Sequence, residues 1–169
     1  HLNIEEDYAK VCGDLPLQIT HRVTANTDIY FVANADKKAG WVSVDFRTTQ
    51  GVPYIYNPIN GNIEPCMLYK TIGKLTRVTL YLEDTESRFV VFNPSHKAAK
   101  NSILELSRAD GKNDFAVNFE LSNSCTKLYL EDAGVYDVKL SNETVQKITA
   151  PQAQVLEISG AWEVTFPTG

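Results

Sequence analysis

Apolar residues in this chain recur at every second position, and that period constrains the fold more than any other feature. Val42, Val44 and Phe46 share one side of an extended run, with Ser43, Asp45 and Arg47 on the other. Val78, Leu80 and Leu82 repeat the pattern, as do Phe115, Val117, Phe119 and Leu121, and again Tyr136, Val138 and Leu140. A period of two belongs to β-strands with one dry face and one wet face. Two runs break the alternation, "IYFVA" at 29–33 and "FVVF" at 89–92. Apolar on both faces, they read as central strands buried from both sides. Short strands without long helices between them predict an all-β chain, an antiparallel sandwich of immunoglobulin-like or jelly-roll type.

One stretch departs from this period. In "NIEEDYAKVC", Ile4, Tyr8, Val11 and Cys12 fall at helical spacing. Asn3 can cap the start, and Glu5, Glu6 and Asp7 suit a first helical turn. A short N-terminal helix is therefore expected, closed by Gly13 and Pro16, with 1–16 as a residual helix or linker from a preceding domain. A first sandwich is expected over 17–95. The polar stretch "NPSHKAAKN" at 93–101 has no strand pattern and marks an internal boundary. Strands near 103–107, 115–121, 127–131, 135–140, 145–149 and 154–158 suffice for a second, smaller sandwich over 96–160, and one continuous sandwich is the alternative. Trp162, Val164 and Phe166 begin another alternating strand, so 161–169 reads as the first strand of a further, truncated domain.

Charge narrows the partners. The net charge is −5 and no basic run occurs. Nucleic acid and anionic membrane surfaces both reward clustered Lys and Arg, so neither is expected as a partner. No apolar stretch approaches the roughly 20 residues that span a bilayer. The chain opens on His1 and shows no signal-peptide pattern, which reads as a processed fragment. Cys12, Cys66 and Cys125 lie far apart with no C-x-x-C pair, so buried thiols are expected rather than a zinc or redox site, with one disulfide as the alternative.

The search for chemistry returns little. No G-x-S-x-G, P-loop or H-E-x-x-H pattern is present. His21 lies in the alternating run "QITHRVT" and reads as a hydrogen-bonded structural histidine, with Arg22 as an ion-pair partner. His96 falls in the polar linker and is expected in solvent. Glu83, Asp84 and Glu86 form a solvated turn between apolar strands, and "ADGKND" at 109–114 lacks the acidic alternation of a calcium loop. No catalytic residue, cofactor site or metal site is assigned. "YIYNPINGNIEP" at 54–65 reads as a hairpin, with Asn57 forming an Asx turn and Asn60-Gly61 supplying positive φ. The remaining binding candidates are Trp41, Tyr54, Tyr56 and Tyr69, whose rings suit the C–H faces of a sugar. They equally suit cross-strand packing, and Trp41 opens a strand with apolar residues two and four further on, which favours core or interface.

The order of these pieces is similar to a known one. "THRVTANTDIYFVANADKKA", then "VSVDFRTTQGVPYIYNPINGNIEP", then "RFVVFNPS" resembles the region after the catalytic barrel in large bacterial glycoside hydrolases of the α-L-rhamnosidase type. There an I-H-R-x-T stretch leads into D-I-Y-F-V-A-N, a Trp-Asp-Pro-x-Thr-Gly hairpin and a V-F-V-V-F strand. "AGVYDVKLSNE" and "LEISGAWEVTFPTG" look like the family's G-T-Y-E-L segment and its T-G-P-W-x-V-x-F entry into a sugar-binding-type sandwich. The likeness is weak over 101–126. Tyr56-Asn57 replaces Trp-Asp, Asn60 replaces Thr and Ala161 replaces Pro. The resemblance implies a non-catalytic β-sandwich region that supports a barrel in a periplasmic or extracellular enzyme. Its partners would be other domains of the same polypeptide, with His21 and Arg22 at the domain junction. The alternative is an independent carbohydrate-binding module with an oligosaccharide as partner.

Overall fold

The computed structural model describes residues 6–98, 102–112, 117–121, 126–130 and 132–152. Among them every strand pair is antiparallel. Two sheets form the larger layer pair. The first, four-stranded, has the order β1 (Tyr8–Cys12), β4 (Gly40–Phe46), β8 (Leu75–Leu82), β7 (Tyr69–Ile72). The second, five-stranded, runs β2 (Leu17–Thr24), β3 (Thr27–Asn34), β9 (Ser87–Asn93), β5 (Val52–Tyr56), β6 (Ile63–Pro65).

The inward residues of both sheets are those the alternation selects. Val42, Val44, Phe46, Val78, Leu80 and Leu82 from the first sheet meet Tyr30, Val32, Val90 and Phe92 from the second in one buried cluster. Tyr30, Phe46 and Phe92 form its aromatic centre, with Tyr30 and Phe46 centroids 4.5 Å apart. Burying large apolar side chains of this kind supplies about 1.5–3 kcal/mol each. β3 and β9 are the central strands, as their apolar composition predicts. Their outward residues Ile29, Phe31 and Phe89, however, are only half-buried.

A second unit follows. β10 (Ile103–Arg108), β13 (Gly134–Leu140) and β14 (Val145–Ala150) form a three-stranded sheet, and β11 (Val117–Leu121) pairs with β12 (Thr126–Leu130). Its core of Ile103, Val138 and Leu140 closes over Leu68, with Trp41 packed against it. The Ile103 N–H donates to the Met67 carbonyl at 2.6 Å, so backbone as well as side chains tie the two units. The strands expected at 154–158 and 161–166, and Cys125, lie outside the described residues.

The N-terminal helix is not formed over the described residues 6–12. Tyr8–Cys12 is an edge strand paired with β4, Tyr8 opposite Phe46 and Cys12 opposite Ser43, with the register shifting between Lys10 and Cys12. The helical spacing of Tyr8, Val11 and Cys12 had nothing to bury against, and all five residues of β1 are exposed. Pairing with β4 satisfies backbone groups along the strand, which outweighs a weak local propensity. Gly13 ends the strand at φ +93°, where a Cβ would come 2.0 Å from the Trp41 carbonyl oxygen. The hairpin at 54–65 is present with a longer loop than expected. Tyr56 pairs with Ile63, the Asn57 carboxamide accepts from the Ile59 N–H at 2.9 Å, and of the Asn60-Gly61 pair only Gly61 takes positive φ.

Candidate functional site

A polar cluster built on His21, Asp28, Asp7 and Thr48 lies in the larger sandwich. Hairpin β2–β3 sets His21 opposite Tyr30. The two rings stack with centroids 4.0 Å apart and 5° between planes. His21 Nε2 lies 3.0 Å from Asp28 Oδ1, and its Nδ1 3.2 Å from Asp7 Oδ2. The Thr48 hydroxyl donates to Asp28 Oδ2 at 2.8 Å. The Thr76 hydroxyl donates to the Thr48 carbonyl at 2.7 Å. The Arg47 guanidinium binds the other oxygen of Asp7. Hydrogen bonds from Arg47 and then His21 hold the Asp7 carboxyl below the usual range. Burial pushes the Tyr30 phenol far above its usual value.

β1, β2, β3 and β4 each contribute to this node or to the turns beside it. Its acceptors are engaged by neighbours of the same chain, which makes it a clasp between the sheets. Arg22, next to His21, points to the opposite side of the five-stranded sheet and is exposed. The two residues expected together at a junction therefore serve opposite faces. Sequence reading named His21 but missed Asp7, Asp28 and Thr48. The signal for Asp28 was available, since alternation along β3 turns Asp28, Tyr30, Val32 and Asn34 inward together. Asn34 closes the other end, donating through Nδ2 to the Lys38 and Glu83 carbonyls at 2.7 and 2.8 Å.

The four aromatic candidates fall in two places. Trp41 packs edge-on against Tyr81, centroids 5.5 Å apart, and against the second unit's core. Tyr69 packs against the larger core, and burial raises its phenol pKa. Tyr54 and Tyr56 lie on the outward side of the five-stranded sheet. His96, expected in solvent, stacks on Tyr54 with centroids 4.0 Å apart, and its Nδ1 lies 3.1 Å from the Val52 carbonyl oxygen. One face of the Tyr54 ring is thus already occupied.

Trp41 and Tyr69 line a cleft of about 370 Å³ between the four-stranded sheet and β10, with Arg77, Thr79 and Glu105 beside them. The Arg77 guanidinium is held by both oxygens of Asp45 at 2.7 and 2.8 Å, which raises its pKa. The Ser43 and Thr79 hydroxyls pair with each other at 2.8 Å. Three polar side chains of the cleft's wall, Ser43, Thr79 and Arg77, are thus engaged by the chain itself. Among the described residues no cluster of three or more His, Cys, Asp or Glu could hold a metal ion. Cys12 and Cys66 are free thiols, the first exposed and the second buried. Burial pushes the Cys66 thiol up to about 12.

Comparison with known proteins adds two similarities. The chain has the fold of a segment of the rhamnosidase from Novosphingobium sp. PP1Y, with a TM-score of 0.53 and 17% identity over 81% of this chain and 15% of that one. A protein of Formosa agariphila described as "Putative beta-glucuronidase" is 27% identical over 124 residues, 72% of this chain and 11% of that protein. The chain spans only 11% and 15% of the two proteins it matches. No family model matches.

Proposed function

We propose that this chain is a non-catalytic β-sandwich region of a multidomain glycoside hydrolase, of rhamnosidase type, and that it supports the catalytic domain. The observation that carries this reading is the lopsided coverage of the comparisons. Most of this chain matches, against about a tenth to a seventh of two glycosidases. The motif residues support it as well. Asp28 and Asn34, the polar ends of "DIYFVAN", are 8% and 3% exposed and bond to the chain's own side chains and loops. The motif is explained by folding alone. On the resemblance, the longer protein works in the periplasm or outside the cell.

A carbohydrate-binding module is the second reading, motivated by Trp41, Tyr54, Tyr56 and Tyr69. Their division between two places weakens it, because a sugar platform needs its rings side by side. Titration calorimetry against a panel of plant cell-wall oligosaccharides separates the readings. A support region gives flat traces. Binding at millimolar strength or better, lost on Tyr56→Ala, establishes the module instead. The flanking coding sequence tests the first reading separately, since it should encode a barrel with paired acidic residues upstream.

A further inference from the structure

The five-stranded sheet has an outward face of the wrong composition for solvent. An antiparallel sheet with one wet side carries polar residues there. β2 obeys, with Gln18, Thr20, Arg22 and Thr24 outward. The next strands do not. Ile29, Val91 and Tyr54 stand in one row across β3, β9 and β5, with Val91 itself buried at 5% exposure and Tyr54 stacked on one face by His96, and Phe31, Phe89 and Tyr56, all half-buried, stand in the next. The Phe31 and Phe89 rings lie 5.1 Å apart. Ile63, 55% exposed, extends the second row on β6. No Asp or Glu points outward from the described residues of this sheet. Arg22, at the margin of the rows, has no carboxylate partner among the described residues.

We propose that this face is the docking surface for a neighbouring domain of the same polypeptide, a proposal that rests on the multidomain reading above. The partner's surface is apolar, with a carboxylate placed to meet Arg22. Three observations select this occupant. The first is area. At strand spacings of about 4.8 Å, the patch measures roughly 20 by 15 Å, on the order of 300 Å². Doubled over both partners, that reaches the lower end of contacts between domains of one chain, about 600–1,500 Å². A stable dimer needs about 800 Å² from each partner. The second is how the chain treats its other sheet. There outward Trp41 is covered by the second unit of the same polypeptide. The third is the comparisons, in which the matching segment sits within a far longer chain on each occasion.

Hydroxyl-radical footprinting tests this on the wild-type side chains. Phe31, Tyr54, Tyr56 and Phe89 should be labelled in the 169-residue chain and protected several-fold in the longer protein. Arg22→Glu in the longer protein should restore labelling of the same residues. Equal labelling in both proteins overturns the proposal. So does protection in the isolated chain that rises with concentration alongside a dimer in sedimentation, which makes a second copy the occupant. Protection that appears only on adding an oligosaccharide overturns it too, in favour of a glycan platform. Glycosidase activity of the longer protein is scored separately. Activity without protection sinks the docking surface alone, and protection without activity sinks the glycosidase reading alone.

Discussion

His21 Nε2 sits 3.0 Å from Asp28 Oδ1, and both side chains are about nine-tenths buried, with 14% and 11% exposed. The pair joins β2 to β3, and through Thr48 it reaches the segment after β4. His21→Ala removes contacts to two carboxylates and the stack on Tyr30, and it leaves Asp28 Oδ1 without this partner. A buried acceptor orphaned in this way costs about 1–3 kcal/mol. Denaturant melts should show that loss at neutral pH. An unchanged midpoint would remove the clasp from the account.

Asp7 gives the clasp a pH dependence. Its carboxyl is held low in the fold by Arg47 first and His21 second. A depressed carboxylate stabilises the fold above its unfolded value, near 3.9, and that contribution is lost as pH falls through the lower folded value. Between pH 6 and 3, melts of the wild type should therefore lose stability below about pH 4. Asp7→Asn should be less stable at pH 6 and flatter below pH 4. The side chain is 42% exposed, so solvent screening keeps the effect small. Parallel pH profiles for the two proteins would contradict the assignment.

Trp41 is placed as packing between the two units. Trp41→Ala should lower stability by about 2–4 kcal/mol, somewhat under the value for a fully buried tryptophan. It should also increase amide exchange in β10 and β13, whose core it touches. A loss of glycan affinity with unchanged stability and exchange would make Trp41 a binding residue instead.

Thiol chemistry reports on the core. Cys66 lies 3% exposed inside the larger cluster, and burial raises its pKa to about 12. A thiol held protonated in this way is a poor nucleophile. Peptide mapping after brief alkylation at pH 8 should find Cys12 modified and Cys66 spared. In urea both should react. Rapid modification of Cys66 in the native protein would mean that the core opens locally.

The period-two pattern made much of the larger sandwich legible. Val42, Val44 and Phe46, like Val78, Leu80 and Leu82, are buried on the face their alternation indicates. β1 was not legible, because its helical spacing says nothing of the open edge of β4 that captures it. The clasp was half legible. His21 stood out as a structural histidine, but Asp7 joins it from a different sheet, a proximity that no local pattern encodes. His96 was misplaced because its contact is also distant in sequence. Its partner Tyr54 comes from β5, which pairs with β9 just before the linker leaves the sheet but lies far from the linker in sequence. The doubly apolar runs of β3 and β9 marked central strands correctly. Outward Ile29, Phe31 and Phe89 are only half-buried, while outward Val91 is buried, so most of that side stands apart from the chain's own core.

The central claim is that this region supports catalysis without performing it, and turnover by the purified 169-residue chain tests that most directly. Aryl rhamnosides, glucuronides and related aryl glycosides should be released no faster than in buffer, at any pH between 4 and 8. Hydrolysis that survives purification and disappears on substitution of one carboxylate, Asp28 or Glu105 for instance, would contradict the account and place an active site within this chain.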